Sequence, residues 1–235
     1  MKKLLSGLLL SASLVAGSAL PGFADAETEA YVEKNADMAL QTLNDPKLSG
    51  TERREEFAKL MDQFTDLDLI AMRVLGKYYN RFSDKEKAAF TEAFREYGLA
   101  TYEAELDKYR GSDIVVTGSQ DSEPSTYTLV DSIVETVIDL PENDLPVKWR
   151  VVKFRPGSNY AKVFGEGYKV VEVGIQLDGG FFWLAGQQKE QFQDILDRNG
   201  GRSDALIAKI KEMTDRLNAE AASRRAALSG AVQAG

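Results

Sequence analysis

The 235-residue chain contains no cysteine and no histidine. Those absences exclude Ser-His-Asp and Cys-His catalysis, zinc sites built on thiolate or imidazole, and CxxC redox exchange. Disulfides are excluded with them, so the fold must be held by burial alone. Positive charge is also in short supply: 29 Lys and Arg stand against 37 Asp and Glu, for a formal net charge of −8 and a pI near 4.8. Nucleic acid is therefore a poor partner. A basic partner surface is compatible with the charge, although acidic chains commonly use it for solubility alone.

Long apolar runs are scarce. Leu4 to Leu20 is one, diluted with Ser, Gly and Ala, preceded by Lys2-Lys3 and followed by Pro21 to Ala26. That is the layout of a signal peptide over residues 1–24, with small-residue cleavage sites after Ala24 or Ala26. No cysteine stands at the junction, which excludes lipoprotein modification, and the mature chain is expected to be soluble and exported. Its length suits one domain with a full core, expected over residues 25–217, followed by an Ala-rich charged tail, 218–235, that frays or is disordered.

Residues 27–43 read as a helix with Val32, Ala36, Ala39 and Leu43 on one side, ended by Asn44-Asp45-Pro46. Ser49 to Glu52 has capping-box spacing and opens a second helix, whose core face is Phe57, Leu60, Met61 and Phe64. A short helix follows through Val74 and Leu75 to Gly76. Ser83 to Glu86 is a second capping box, opening a long helix to about Arg110. Its apolar set rotates from Phe90, Phe94 and Tyr97 to Leu99, Tyr102 and Leu106 around Gly98, so this helix must be covered on more than one side. Beyond Gly111 the period becomes strand-like over 114–117, 127–137, 147–154 and 168–177, with turn clusters between. An antiparallel sheet of about four strands is expected. Ser203-Asp204 caps a last helix carrying Leu206, Ile207, Ile210, Met213 and Leu217.

The organising stretch runs from Tyr168 to Gly201. Val171, Val173, Ile175 and Leu177 alternate onto one expected face, and Asp178-Gly179-Gly180 turns the chain into Phe181-Phe182-Trp183-Leu184. A helical stripe of Phe192, Ile195 and Leu196 ends at Asn199-Gly200-Gly201. A greasy strand, an aromatic hinge and a returning helix would build the wall and lip of an apolar cavity.

Several local patterns resemble a known family. Phe64 to Asp68 leading to Val74-Leu75-Gly76-Lys77-Tyr78-Tyr79, the run from Phe90 through Phe94 to Thr101-Tyr102, Tyr168 to Val173, and Gln191-Phe192 to Gly200-Gly201 are similar in order and spacing to the MlaC family, the toluene-tolerance group of periplasmic phospholipid-binding proteins. The likeness covers roughly residues 30–217. It implies an α+β fold, a helical layer on a twisted antiparallel sheet related to the nuclear transport factor two-like folds. It implies a soluble periplasmic carrier, not an enzyme, with no cofactor and a bound phospholipid as cargo. The partners it implies are an outer-membrane lipoprotein–porin complex and an inner-membrane ABC-transporter lipid-transfer complex. The chain departs from the family pattern at Phe181 to Leu184 and Gln187-Gln188-Lys189, where the family has roughly Gly-Val-Ser-Leu and then Asn-Tyr-Arg.

On this reading the acyl-chain lining is expected from Leu75, Tyr78 and Tyr102 on helices and from Val134, Trp149, Val151, Val171 and Val173 on strands. Phe181, Phe182 and Trp183 are expected at the lip, unless they plug the core. Lys148, Arg150, Lys153 and Arg155 could meet a phosphate or form a solvated sheet face. Two other classes stay open: a ligand-free envelope scaffold, and an exported enzyme using Asp131, Glu135 or Glu172 as a base raised in pKa by burial.

Overall fold

The computed structural model describes residues 26–106, 111–140, 143–177 and 180–233, so the expected signal peptide lies outside the described residues. Helices come first: α1 (Ala26–Asn44), α2 (Gly50–Phe64), α3 (Leu67–Leu75) with a 3-10 turn over Gly76–Arg81, and α4 (Asp84–Leu106). Their starts are chemical. At α2 the Ser49 hydroxyl accepts from the Glu52 amide at 3.3 Å and the Glu52 carboxylate accepts from the Ser49 amide at 2.8 Å, the reciprocal box that satisfies two orphan donors. Ser83 and Glu86 repeat it at α4. Asp66 caps α3 through the Leu69 amide at 2.9 Å.

The strands are β1 (Ile114–Asp121), β2 (Thr128–Ile138), β3 (Leu145–Phe154), β4 (Tyr168–Leu177) and β5 (Gly180–Trp183), joined antiparallel in chain order. Helix α5 (Asn159–Phe164) sits between β3 and β4, and α6 (Leu184–Arg198) and α7 (Ser203–Gln233) close the chain. The expected helical layer on an antiparallel sheet is thus observed, with one more short strand than the four read from sequence. That strand is the supposed aromatic hinge: Trp183, Phe182 and Phe181 pair with Gly174, Ile175 and Gln176. Helix α7 reaches Gln233.

The single-face expectation for β4 is corrected. Val173 pairs with Trp149 and Val170 with Val151, leaving an extra residue on β4 at a bulge. A bulge inserts one side chain out of phase. Val171 therefore packs with Val152, Phe154 and Leu69, whereas Val173 packs with Trp149 and Val134 on the face turned to α1 and α2.

Of the apolar clusters that result, two frame the site. Between α3, α4, α6 and α7, Leu75, Phe90, Phe192, Leu196, Leu206 and Ile210 are fully buried. Phe90 and Phe94 stack at 5.7 Å and Phe192 meets both edge-on at 6.1 Å, arrangements aromatic quadrupoles favour. Between α1, α2 and the sheet, Val32, Leu60, Phe64, Val134, Val151 and Val170 are buried, but Tyr31, Met38, Ala39, Trp149 and Val173 are only partly so.

A candidate apolar cavity and its charged rim

That second interior is not full. It encloses a cavity of about 170 Å³, bounded by Val32, Ala36 and Ala39 of α1, Phe57, Met61 and Phe64 of α2, and Ile70 of α3. Phe94 and Gly98 of α4, Trp149 of β3, Val170 to Val173 of β4, and Leu184, Ala185 and Gln188 of α6 complete it. Part of the space is left by small residues among the large ones. Ala36 and Ala39 present only methyl groups, and a Cβ built on Gly98 would meet nothing within 4 Å. The glycine that interrupts the α4 stripe thus borders open space.

Polar groups in the wall are mostly turned back on their own backbone. Asn35 donates to the Tyr31 carbonyl at 2.7 Å and the Thr65 hydroxyl to the Met61 carbonyl at 2.6 Å. Trp149 lends the wall its ring while its indole N–H donates to Thr136 at 2.8 Å. The charged side chains in the wall are Arg95 and Glu172. Arg95 forks onto Asp62, Nε to Oδ1 at 3.1 Å and Nη2 to Oδ2 at 2.7 Å, tying α4 to α2. Glu172 Oε1 accepts from the Ala185 amide at 2.7 Å and so caps α6. Burial pushes its carboxyl above the usual range, opposed by backbone donors and by nearby Arg73. Burial likewise lowers the Arg73 guanidinium, with the like charge of Arg150 adding to it.

Of the expected lining residues, Trp149, Val171 and Val173 border this cavity. Leu75 and Tyr78 lie in the helical core, where the Tyr78 hydroxyl donates to Asp197. Val134 and Val151 are fully buried in the sheet-face core. Tyr102 belongs to α4, but its side chain lies outside the described residues. Phe181, Phe182 and Trp183 sit in β5 away from the cavity wall. Lys148 lies 4.5 Å from the Phe181 ring centre, and the Trp183 ring covers Gly174 so closely that a Cβ there would come within 3.0 Å of it.

The strand cations are occupied. Lys148 pairs with Glu135 at 2.6 Å, and Arg150 forks onto Asp131 at 2.9 and 2.7 Å. Lys153 lies over Tyr168, and Arg155 donates to the Ser125 carbonyl. Among the described residues no group of three Asp, Glu, His or Cys is placed to hold a metal ion. Sequence reasoning missed the helical half of the wall. The available signal was Ala36, Ala39 and Gly98, small residues where a filled interior needs large ones.

Helices packed on a five-stranded antiparallel sheet, with an apolar space between α1, α2 and the sheet, define an α+β cavity protein. The chain belongs to the MlaC protein family, whose sequence pattern matches residues 33–212. Among solved structures it is similar to the phospholipid-binding protein of Ralstonia solanacearum, determined in complex with a phospholipid. The two share a TM-score of 0.63 and 21% identity over 81% of this chain and 98% of that one. At that identity the likeness is one of fold. No curated protein matches the chain.

Proposed function

We propose that this protein is a periplasmic lipid carrier. It takes phospholipid acyl chains into the cavity between α1, α2, α4 and β4 and moves the lipid between an outer-membrane lipoprotein–porin complex and an inner-membrane ABC-transporter complex. The observation that carries the reading is a cavity with an almost wholly apolar wall, in a fold shared with a phospholipid-bound protein. Family membership and the leader-like sequence of residues 1–24 support the location. No helix among the described residues is long and apolar enough to cross a membrane.

Carriage sets a size requirement. Two acyl chains expose about thirty methylenes, and at ~0.8 kcal/mol each their passage through water unshielded costs over ~20 kcal/mol. A cavity of about 170 Å³ matches the ~150 Å³ that holds a benzene, not the ~300–1,000 Å³ of ligand pockets. The walls must therefore part on loading. The α2–α4 seam is one place for them to do so, because the ion pairs across it, Arg95–Asp62 and Arg54–Glu96, are partly exposed and such pairs hold little. Catalysis has less to stand on. Glu172 caps α6, and the one hydroxyl among the described residues of the cavity wall, Thr65, donates to Met61.

Gly98→Leu tests the reading. The added side chain enters open space, so the helix should be as stable as before or more so, while the room for acyl chains is lost. Native mass spectrometry should find stoichiometric lipid on the wild type and little on folded Gly98→Leu. Full lipid on Gly98→Leu would place the cargo elsewhere. A wild-type protein that stays empty after exposure to phospholipid vesicles would favour a scaffold.

A further inference from the structure

Arg95 borders two spaces at once. It is the one cation among the described residues lining the apolar cavity, and it also lines an outer groove between α2 and α4 with Arg54, Glu55 and Glu96. A phospholipid presents the same order of chemistry, apolar tails, then a phosphate, then a polar or charged head. We propose that this groove seats the cargo's headgroup and selects a zwitterionic phosphodiester, of the phosphoethanolamine kind, over an anionic one. The inference rests on the lipid-carrier reading.

The charges at the rim decide the preference. The Arg95 guanidinium holds Asp62 in a two-point fork and reaches Glu96 at 3.4 Å, while Glu96 also holds Arg54 at 3.4 Å. A fork that fits a carboxylate fits a phosphate equally well. The Asp62 side chain is 44% exposed and that of Arg95 25%, so little net free energy opposes the exchange. Once phosphate takes the guanidinium, Asp62 has lost its cation. An anionic headgroup brings no replacement and leaves the phosphate, Asp62 and Glu96 to share the guanidiniums of Arg95 and Arg54. A zwitterionic headgroup brings an ammonium on the same short arm, so the Arg95–Asp62 pair is replaced by Arg95–phosphate and Asp62–ammonium. Lys59 also lines the groove, paired with Glu56 at 2.6 Å. With that pair counted, the rim still sets four carboxylates, Glu55, Glu56, Asp62 and Glu96, against three cations, Arg54, Lys59 and Arg95.

The test loads the protein from vesicles of equal parts phosphatidylethanolamine and phosphatidylglycerol and counts each bound lipid by native mass spectrometry. The wild type should be enriched in phosphatidylethanolamine by about fivefold, the discrimination one partly exposed ion pair supplies. Asp62→Asn should bring the ratio close to one with loading preserved. Should Asp62→Asn loosen the α2–α4 seam, Glu96→Gln leaves the Asp62 fork in place and should shift the ratio the same way by a smaller factor. Full loading with one lipid ratio in all three proteins would overturn the headgroup seat and leave the carrier reading intact. A wild type that takes up neither lipid would overturn the carrier reading, and the seat with it.

Discussion

The helical core and the cavity are built from the same kinds of side chain and share Ile70, Phe94 and Ala185. Phe94 stacks on Phe90 in the core and also borders the cavity. On the core side, large rings and leucines from α3, α4, α6 and α7 meet at aromatic contact distances and reach full burial. On the cavity side, Ala36, Ala39 and Gly98 face Trp149 and Val173, and several neighbours stay half-buried. Apolar patterning fixes which way a side chain points, whereas side-chain volume decides whether the space it points into is filled. One half of this molecule behaves as a solid and the other as a container.

The largest test of that contrast is Phe192→Ala. Removing a fully buried ring from the solid half should cost about 3–5 kcal/mol, read by urea unfolding, with lipid per folded molecule unchanged. An equal loss of lipid would show that the halves are not separable. Next is Val173→Glu in the container. Its carboxylate should exclude acyl chains yet cost only about 1–3 kcal/mol, since an emptied cavity can admit water. Failure to fold would mean that the space behaves as packed core. Gly98→Ala should raise stability by about 1 kcal/mol, the helix-propensity gain with no clash to offset it. A fall in thermal stability would show the space to be closed.

The smallest effects are in pH dependence, and the two halves should differ in sign. Glu86 accepts from Ser203 and Ser83, which hold its carboxyl down from 4.5 to about 2 and staple α4 to the start of α7. Its contribution is fully present above pH 4.5 and is lost as pH falls towards about 2. The melting-temperature difference between wild type and Glu86→Gln should therefore vanish at the acid end. Burial raises Glu172, so the folded protein favours its protonated form. That contribution is present below the unfolded pKa and lost as pH rises through the folded one. Glu172→Gln should flatten this slope, and an unchanged slope would count against the burial effect.

Much of this architecture was legible in the chain because helix starts and stripes carry chemistry. The Ser49–Glu52 and Ser83–Glu86 boxes and the Phe57-Leu60-Met61-Phe64 stripe named their helices. Helix α5 was hidden because Ser158, its cap, sits in a Pro-Gly-Ser-Asn cluster that also spells a turn, and the helix is six residues long. Strand β5 was hidden because three consecutive bulky residues show no alternation. The bulge that separates Val171 from Val173 changes phase without changing composition. Trp149, Val171 and Val173 were expected at a cavity from strand alternation and do border one, although the bulge puts Val171 and Val173 in different clusters. The helical wall was not, since a stripe does not reveal what lies opposite.

The core that α4 shares with α6 and α7 also constrains the order of assembly. The sheet is a simple meander, each strand pairing with its successor, so its contacts can form as the chain is supplied. Phe90 and Phe94 have no such neighbour: their partners Phe192, Leu206 and Ile210 lie about a hundred residues downstream. A nascent chain ending before Ser203 can pair all five strands and still leave α4 without its principal cover. The last helix therefore acts as the keystone, and the molecule stays open to chaperones and proteases until that helix arrives.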